Sequence, residues 1–140
     1  MILLDTNVIS ELMRSDPDNT VMAWMDDQIR GEFGITAITV AEVLYGIKSL
    51  PEGRRQSRLL EAAAEVFDEY FDDRVFAFDH RAAVHYAEVV CRREQTGAPI
   101  SMADAQIAAI CLANSTALAT RNTKDFEGTG VILVNPWSPR

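Results

Sequence analysis

Ile2, Leu3 and Leu4 form an unbroken apolar run that passes directly into Asp5-Thr6-Asn7. A run of this kind reads as a short strand buried on both faces, as in a parallel sheet. The polar triplet suits a strand-to-helix turn, and Val8, Ile9, Leu12 and Met13 then repeat at helical spacing. A buried strand therefore delivers a carboxylate, that of Asp5, at its C-terminal end. Open α/β sheets build their sites at that end. Other acids matter according to whether they can reach Asp5.

The rest of the chain repeats the alternation. The first helix runs roughly over Thr6–Arg14 and ends in the turn Ser15-Asp16-Pro17-Asp18. Asp18 or Asn19 can cap a second helix with a stripe of Val21, Trp24, Met25 and Ile29, ended by Gly31. Phe33–Thr36 reads as the second strand. Thr39-Val40-Ala41-Glu42 opens a helix that carries Val43, Leu44 and Ile47. After Pro51-Glu52-Gly53, a long amphipathic helix is predicted over about Arg54–Tyr70. Its inner residues are Leu59, Leu60, Ala63, Val66 and Phe67, and Arg54, Arg55 and Arg58 face outward. Val75–Phe78 is the third strand. Asp79 caps a helix with Ala83, Tyr86, Ala87, Val90 and Cys91 as its expected inner face. Ser101-Met102-Ala103-Asp104 opens another, with Ile107, Ile110, Cys111 and Leu112 inside. Ala117–Ala119 and Val131–Val134 complete the strands. This alternation predicts one α/β domain over residues 1–140, on a parallel sheet with right-handed crossovers.

No apolar run approaches the ~18 residues needed to cross a bilayer. With the first strand starting at Met1, no leader is expected, and the expected location is cytoplasmic. Cys91 and Cys111 sit in apolar helical patterns and read as small core side chains, not as a disulfide or zinc site. The net charge of −8 argues against tight non-specific binding of nucleic acid, which rests on Lys and Arg contacts to phosphate. It suits a basic partner or a bound cation. A nucleic-acid ligand requires a local Arg cluster or metal ions.

Four polar points fall at equivalent places in the pattern. Asp5 ends the first strand, Glu42 lies in the first turn of the helix after the second strand, Asp104 opens a helix before the fourth, and Asn122 follows the fourth, with Asp125 three residues on. In a parallel sheet all these places share one edge. Two unit charges at 4 Å repel by about 4 kcal/mol at an effective dielectric of 20. A divalent cation removes that cost, and oxygen-only ligands suit Mg²⁺ or Mn²⁺. Such a site polarises a phosphoryl oxygen and activates water, which points to phosphoester hydrolysis. The competing explanation is capping. Thr39-x-x-Glu42 and Ser101-x-x-Asp104 both resemble capping boxes, and Asn122 and Asp125 are ordinary turn residues.

The stretches MILLDTNVISEL, TAITVAEVLYGI, SMADAQIAAICLA, LATRNTKDF and VNPW resemble PIN-domain proteins. More narrowly they resemble VapC-type toxins of bacterial toxin–antitoxin pairs, in the FitB-like branch. The resemblance spans essentially the whole chain, in family order and at family spacing. It implies a five-stranded parallel sheet flanked by helices, with the acids at its C-terminal edge. It implies a Mg²⁺- or Mn²⁺-dependent endoribonuclease, a homodimer, held inactive by a cognate antitoxin and reaching operator DNA only through it. Carried over by position, Asp5 and Asp104 match the metal-binding acids and Glu42 the third acid of the site. The fourth family position falls at Asn122, where many members have Asp, which puts a second metal ion in doubt.

On this reading the catalytic set is Asp5, Glu42, Asp104 and Asn122, the metal ligands are Asp5 and Asp104, and RNA is contacted by Arg121 and Thr6. Thr6, Asn7, Ser101 and Thr120 can orient the carboxylates. Attack by water leaves 5′-phosphate and 3′-hydroxyl ends. The rival route through the RNA 2′-hydroxyl needs paired acid–base side chains, and His80 and His85 have no evident link to the acids. Trp24 and Trp137 read as core and tail packing, with stacking on RNA bases as the less favoured role. A phosphatase with a strand-end Asp-x-Asp is disfavoured, because the residue two after Asp5 is Asn7. Two non-enzymatic roles also fit the pattern. One is a weakly catalytic or non-catalytic subunit that binds an antitoxin and, through it, operator DNA. The second is a structural domain with capped helices and no site.

Overall fold

Leu3 and Leu4 are both fully buried, yet they enter different cores. Successive strand residues point to opposite faces, so a strand with apolar residues at consecutive positions must be covered on both sides. The computed structural model describes residues 1–29, 32–72 and 74–139. Strands β1 (Ile2–Leu4), β2 (Phe33–Thr36), β3 (Val75–Phe76), β4 (Ala117–Ala119) and β5 (Leu133–Val134) form one sheet in the order β3-β2-β1-β4-β5. Every pairing is parallel. In register, Leu3 of β1 lies between Gly34 of β2 and Leu118 of β4.

Six helices cover the sheet: α1 (Thr6–Leu12), α2 (Asn19–Asp27), α3 (Ala37–Lys48), α4 (Arg54–Tyr70), α5 (His80–Gln95) and α6 (Met102–Asn114). Leu4 packs with Val8, Ile9, Val21, Trp24, Val43 and Val66 beneath α1–α4. Leu3 packs with Val89, Ala105, Ile107, Ile110 and Leu118 beneath α5 and α6. From β1 the chain lays strands first on one side and then, through α5 and α6, on the other. The strand order therefore reverses between β1 and β4, and a crevice opens beyond their C-terminal ends. No helix among the described residues is long and apolar enough to cross a membrane.

The expected elements are present, with differences of extent and phase. α1 stops at Leu12, short of Arg14. β3 and β5 are two residues each, shorter than the runs Val75–Phe78 and Val131–Val134 suggested. Ile29 is 74% exposed, because α2 ends at Asp27 and its apolar stripe stops before this residue. Gly31 lies outside the described residues. The helix α5 is turned by one residue from the expected face. Ala82, Val89 and Arg93 are buried, while Ala83, Ala87 and Cys91 are exposed. Cys91 is therefore a surface thiol and not a core side chain. Cys111 is in the core, and burial pushes its thiol up to about 12.

Candidate active site

Asp5 leaves β1 at the crevice and is held from several sides. Its backbone N–H donates to Ala119 O at 2.9 Å, which ties it to the end of β4. Carboxylate Oδ1 accepts from the Thr6 N–H at 2.9 Å, and Oδ2 accepts from the Thr120 hydroxyl at 2.8 Å. The Asn7 side-chain amide reaches Thr120 Oγ1 at 3.3 Å and, at 3.5 Å, the edge of Asp5 Oδ2. Thus the residues after β1 and those after β4 form one hydrogen-bonded unit. The carboxyl is almost fully buried, and burial raises its pKa above the ordinary 3.8. The Thr120 and Thr6 bonds pull it back, while the charges of Glu42 and Asp125 raise it further.

Glu42 comes from α3, which packs on α1. The helix starts earlier than the Thr39 opening suggested. Thr36 is its cap, with Oγ1 accepting from the Thr39 N–H at 3.0 Å. Thr39 is buried and bonded to Thr36, so the expected Thr39–Glu42 capping box does not form, and Glu42 sits in the second turn and not the first. Its carboxylate, freed from capping, accepts from the Thr6 hydroxyl at 2.7 Å. Thr6 therefore serves two acids, Asp5 through its backbone and Glu42 through its side chain.

Asp104 stands in the first turn of α6, where Ser101 Oγ accepts from the Asp104 N–H at 3.2 Å. This is one half of a capping box. The return bond from the Ser101 N–H to the Asp104 carboxylate is absent among the described residues. Burial lifts the Asp104 carboxyl to about 6; the Ser101 hydroxyl lowers it, and the charges of Asp5, Asp125 and Glu42 raise it. The three acids thus feel one another across a shared space.

That space is a cleft of about 630 Å³ whose walls include Asp5, Thr6, Glu42, Asp104, Arg121 and Asn122. Asn122 is exposed and leads into the short 3₁₀ turn Thr123–Phe126, which brings Asp125 to the same wall. Sequence reasoning missed four lining residues: Ser10, Glu11, Arg14 and Trp137. Glu11 is buried and accepts from Arg14 Nη1 at 2.9 Å and from the Asp18 N–H at 2.8 Å. The spacing Thr6, Asn7, Ser10, Glu11, Arg14 traces one side of α1 and its end, a signal that helical periodicity carries. Trp137 reads as tail packing in the sequence, because its place at the cleft depends on the tail folding back. Neither His80 nor His85 lines the cleft, and the Arg54, Arg55 and Arg58 row is exposed on α4, away from it.

Among the described residues, no three His, Cys, Asp or Glu side chains stand close enough together to hold a metal ion between them, so an ion here would rest on one or two carboxylates. Two of the carboxylates have raised pKa, and five acids, Asp5, Glu11, Glu42, Asp104 and Asp125, line the cleft with Arg14 and Arg121 as its cationic side chains. This donor set fits a hard divalent cation bound by one or two carboxylates plus water, the usual habit of Mg²⁺. It does not fit a structural zinc site, which is closed by four Cys and His ligands, because neither residue lines the cleft.

A parallel sheet with acids gathered at its switch point defines a class, and the chain belongs to it: it is a member of the PIN domain family, whose model matches residues 2–131. The chain is 43% identical to the plasmid stability protein StbB of Pseudomonas syringae pv. tomato, over 98% of this chain and 99% of that protein. It is 39% identical to the VapC ribonuclease Y4jK of Sinorhizobium fredii, over 99% of each. Among solved structures, a chain of FitAB bound to the IR36 DNA fragment superposes with a TM-score of 0.91 at 38% identity, covering 100% of this chain and 98% of that one.

Proposed function

We propose that this chain is the toxin of a toxin–antitoxin pair and acts as a Mg²⁺- or Mn²⁺-dependent endoribonuclease on single-stranded RNA. The observation that carries the reading is the meeting of Asp5, Glu42 and Asp104, far apart in sequence, on one cleft at the switch point of the sheet. The names of similar proteins, a VapC ribonuclease and the FitAB complex, support it.

Asp5 and Asp104 would hold the ion. When bound, it polarises a phosphoryl oxygen and acidifies water. Glu42, pinned by the Thr6 hydroxyl, orients the attacking water and takes its proton. Thr120 and Asn7 keep Asp5 from turning. Asn122, an amide where the resemblance leads one to expect an acid, can donate a hydrogen bond to phosphate but adds no charge. The set therefore supports one ion better than two. The partner is a cognate antitoxin, through which the pair reaches operator DNA, and the resemblance adds a second copy of the chain as a homodimer.

Purified protein incubated with a randomised RNA pool tests this. Cleavage is expected with Mg²⁺ or Mn²⁺, none with EDTA, and a loss of at least about 100-fold in Asp5→Asn. Ends should be 5′-phosphate and 3′-hydroxyl. Cyclic 2′,3′-phosphate ends would rule out attack by water. An inactive wild type that still binds its antitoxin on DNA would favour the non-catalytic subunit, the reading to which Asn122 lends weight.

A further inference from the structure

Two arginines line the cleft, and they are held in different ways. Arg14 is ion-paired with Glu11 at 2.9 Å, so its charge is already compensated. Arg121 has no carboxylate within ion-pair distance among the described residues, although the cleft is rich in acids. Its guanidinium instead lies over the indole of Trp137, with Cζ 4.8 Å from the ring centroid. An aromatic face holds a guanidinium through its π cloud and leaves the in-plane N–H donors unused. Those donors form the fork that matches the oxygens of a phosphodiester.

Both partners are fixed from behind. The Arg121 backbone N–H donates to Asn7 Oδ1 at 3.1 Å, and Asn7 belongs to the network that holds Asp5. The Trp137 backbone N–H donates to Asn135 Oδ1 at 2.9 Å, the preceding Pro136 is buried, and the indole packs against the core beneath α1–α4. The tail thus places an aromatic shelf at the mouth of the cleft.

We propose that Arg121, laid on Trp137, is the anchor for an RNA phosphate beside the acids, and that Trp137 is the positioning residue that keeps this charge out of the carboxylates' reach. This rests on the nuclease reading above. Without the shelf the arginine would be free to swing towards the acids that line the cleft, and would offer its fork to substrate less often. A cationic anchor also answers the net charge of −8, which otherwise repels RNA from the whole surface.

The test is steady-state cleavage, in Mg²⁺ and over a range of salt, of an oligonucleotide carrying a site that the random pool reveals. Arg121→Gln should raise KM about tenfold with kcat within about twofold, and flatten the slope of log(kcat/KM) against log[salt] by about 0.7, one single-strand phosphate contact. Trp137→Leu should raise KM about fivefold although no charge is removed, and Trp137→Phe, which keeps an aromatic face, should recover most of it. Thermal melts report whether each variant is folded; if Trp137→Leu is not, Arg121→Gln and Trp137→Phe against Trp137→His carry the comparison. Wild-type KM and salt slope in Arg121→Gln would overturn the anchor, and a fall in kcat alone in the Trp137 variants would overturn the shelf. In either case the nuclease reading stands, provided the wild type cuts and Asp5→Asn does not. A wild type that cuts no RNA removes both.

Discussion

Asp104 carries the clearest electrostatic signature of the cleft. Its carboxyl titrates near 6 in the folded chain, against an ordinary value of 3.8, because burial and three neighbouring acids disfavour its charge. A folded-state pKa above the unfolded one means that the native state holds the proton more tightly. Below about pH 4 both states are protonated and nothing is lost. Between about 4 and 6 the unfolded chain ionises first, so stability falls as pH rises through that window. Above about 6 the penalty is complete. Without metal, Asp104→Asn should therefore be more stable than wild type at pH 7, by about 1 kcal/mol once solvent screening of this half-exposed group is allowed for. The two proteins should melt alike near pH 4. Adding Mg²⁺ should raise the melting temperature of wild type and leave the variant where it was. A variant that melts lower than wild type at pH 7 without metal would mean that the carboxylate serves the helix and not an ion.

The strands and caps were legible because the signals for them are local. The run Ile2–Leu4, Asp18 before α2, Asp79 before α5 and Ser101 before α6 each act within a few residues, and each plays the expected part in the fold. The phase of α5 was not legible. Its apolar residues occupy so many consecutive positions that two faces one residue apart fit equally well. The choice is made by Arg93, which is buried although charged. Its guanidinium donates to the carbonyls of Ala98, Asp125 and Glu127 at 2.6, 2.7 and 3.1 Å. This pins the turn that carries Asp125, and no periodicity reports it. The site had the same division. Its acids could be placed on one edge by counting elements, but Thr36 as the cap of α3, and Glu42's release to Thr6, depended on contacts between elements. Gly34 offers a test at this scale. A Cβ there would lie 2.7 Å from Phe76 Cε2 and 2.8 Å from Leu3 Cδ2, and Leu3 is fully buried. Gly34→Ala should destabilise the fold by about 1–3 kcal/mol in urea titration, by prising β2 from β1. An unchanged midpoint would show that Phe76 swings aside without cost.

At the scale of the whole molecule, 21 acids against 13 basic residues leave the surface short of contacts for an anionic polymer. The same charge makes the cleft a natural receptor for a cationic segment. Asp5, Glu42, Asp104 and Asp125 share its walls, and burial, with their mutual repulsion added to it, raises the pKa values of Asp5 and Asp104. An arginine from outside would relieve that repulsion as a metal ion does, so the two ligands should exclude each other. If the cognate antitoxin inserts such a residue, three results follow. Its affinity should fall as salt is raised, mainly through slower association, since charge steers the encounter. Saturating Mg²⁺ should weaken it beyond what the same ionic strength of NaCl does. Asp5→Asn combined with Asp104→Asn should weaken it by about tenfold or more in titration calorimetry, because a buried cation loses its counter-charges. Equal affinity in the double variant would locate the antitoxin's grip on another face and leave these acids to the metal ion alone.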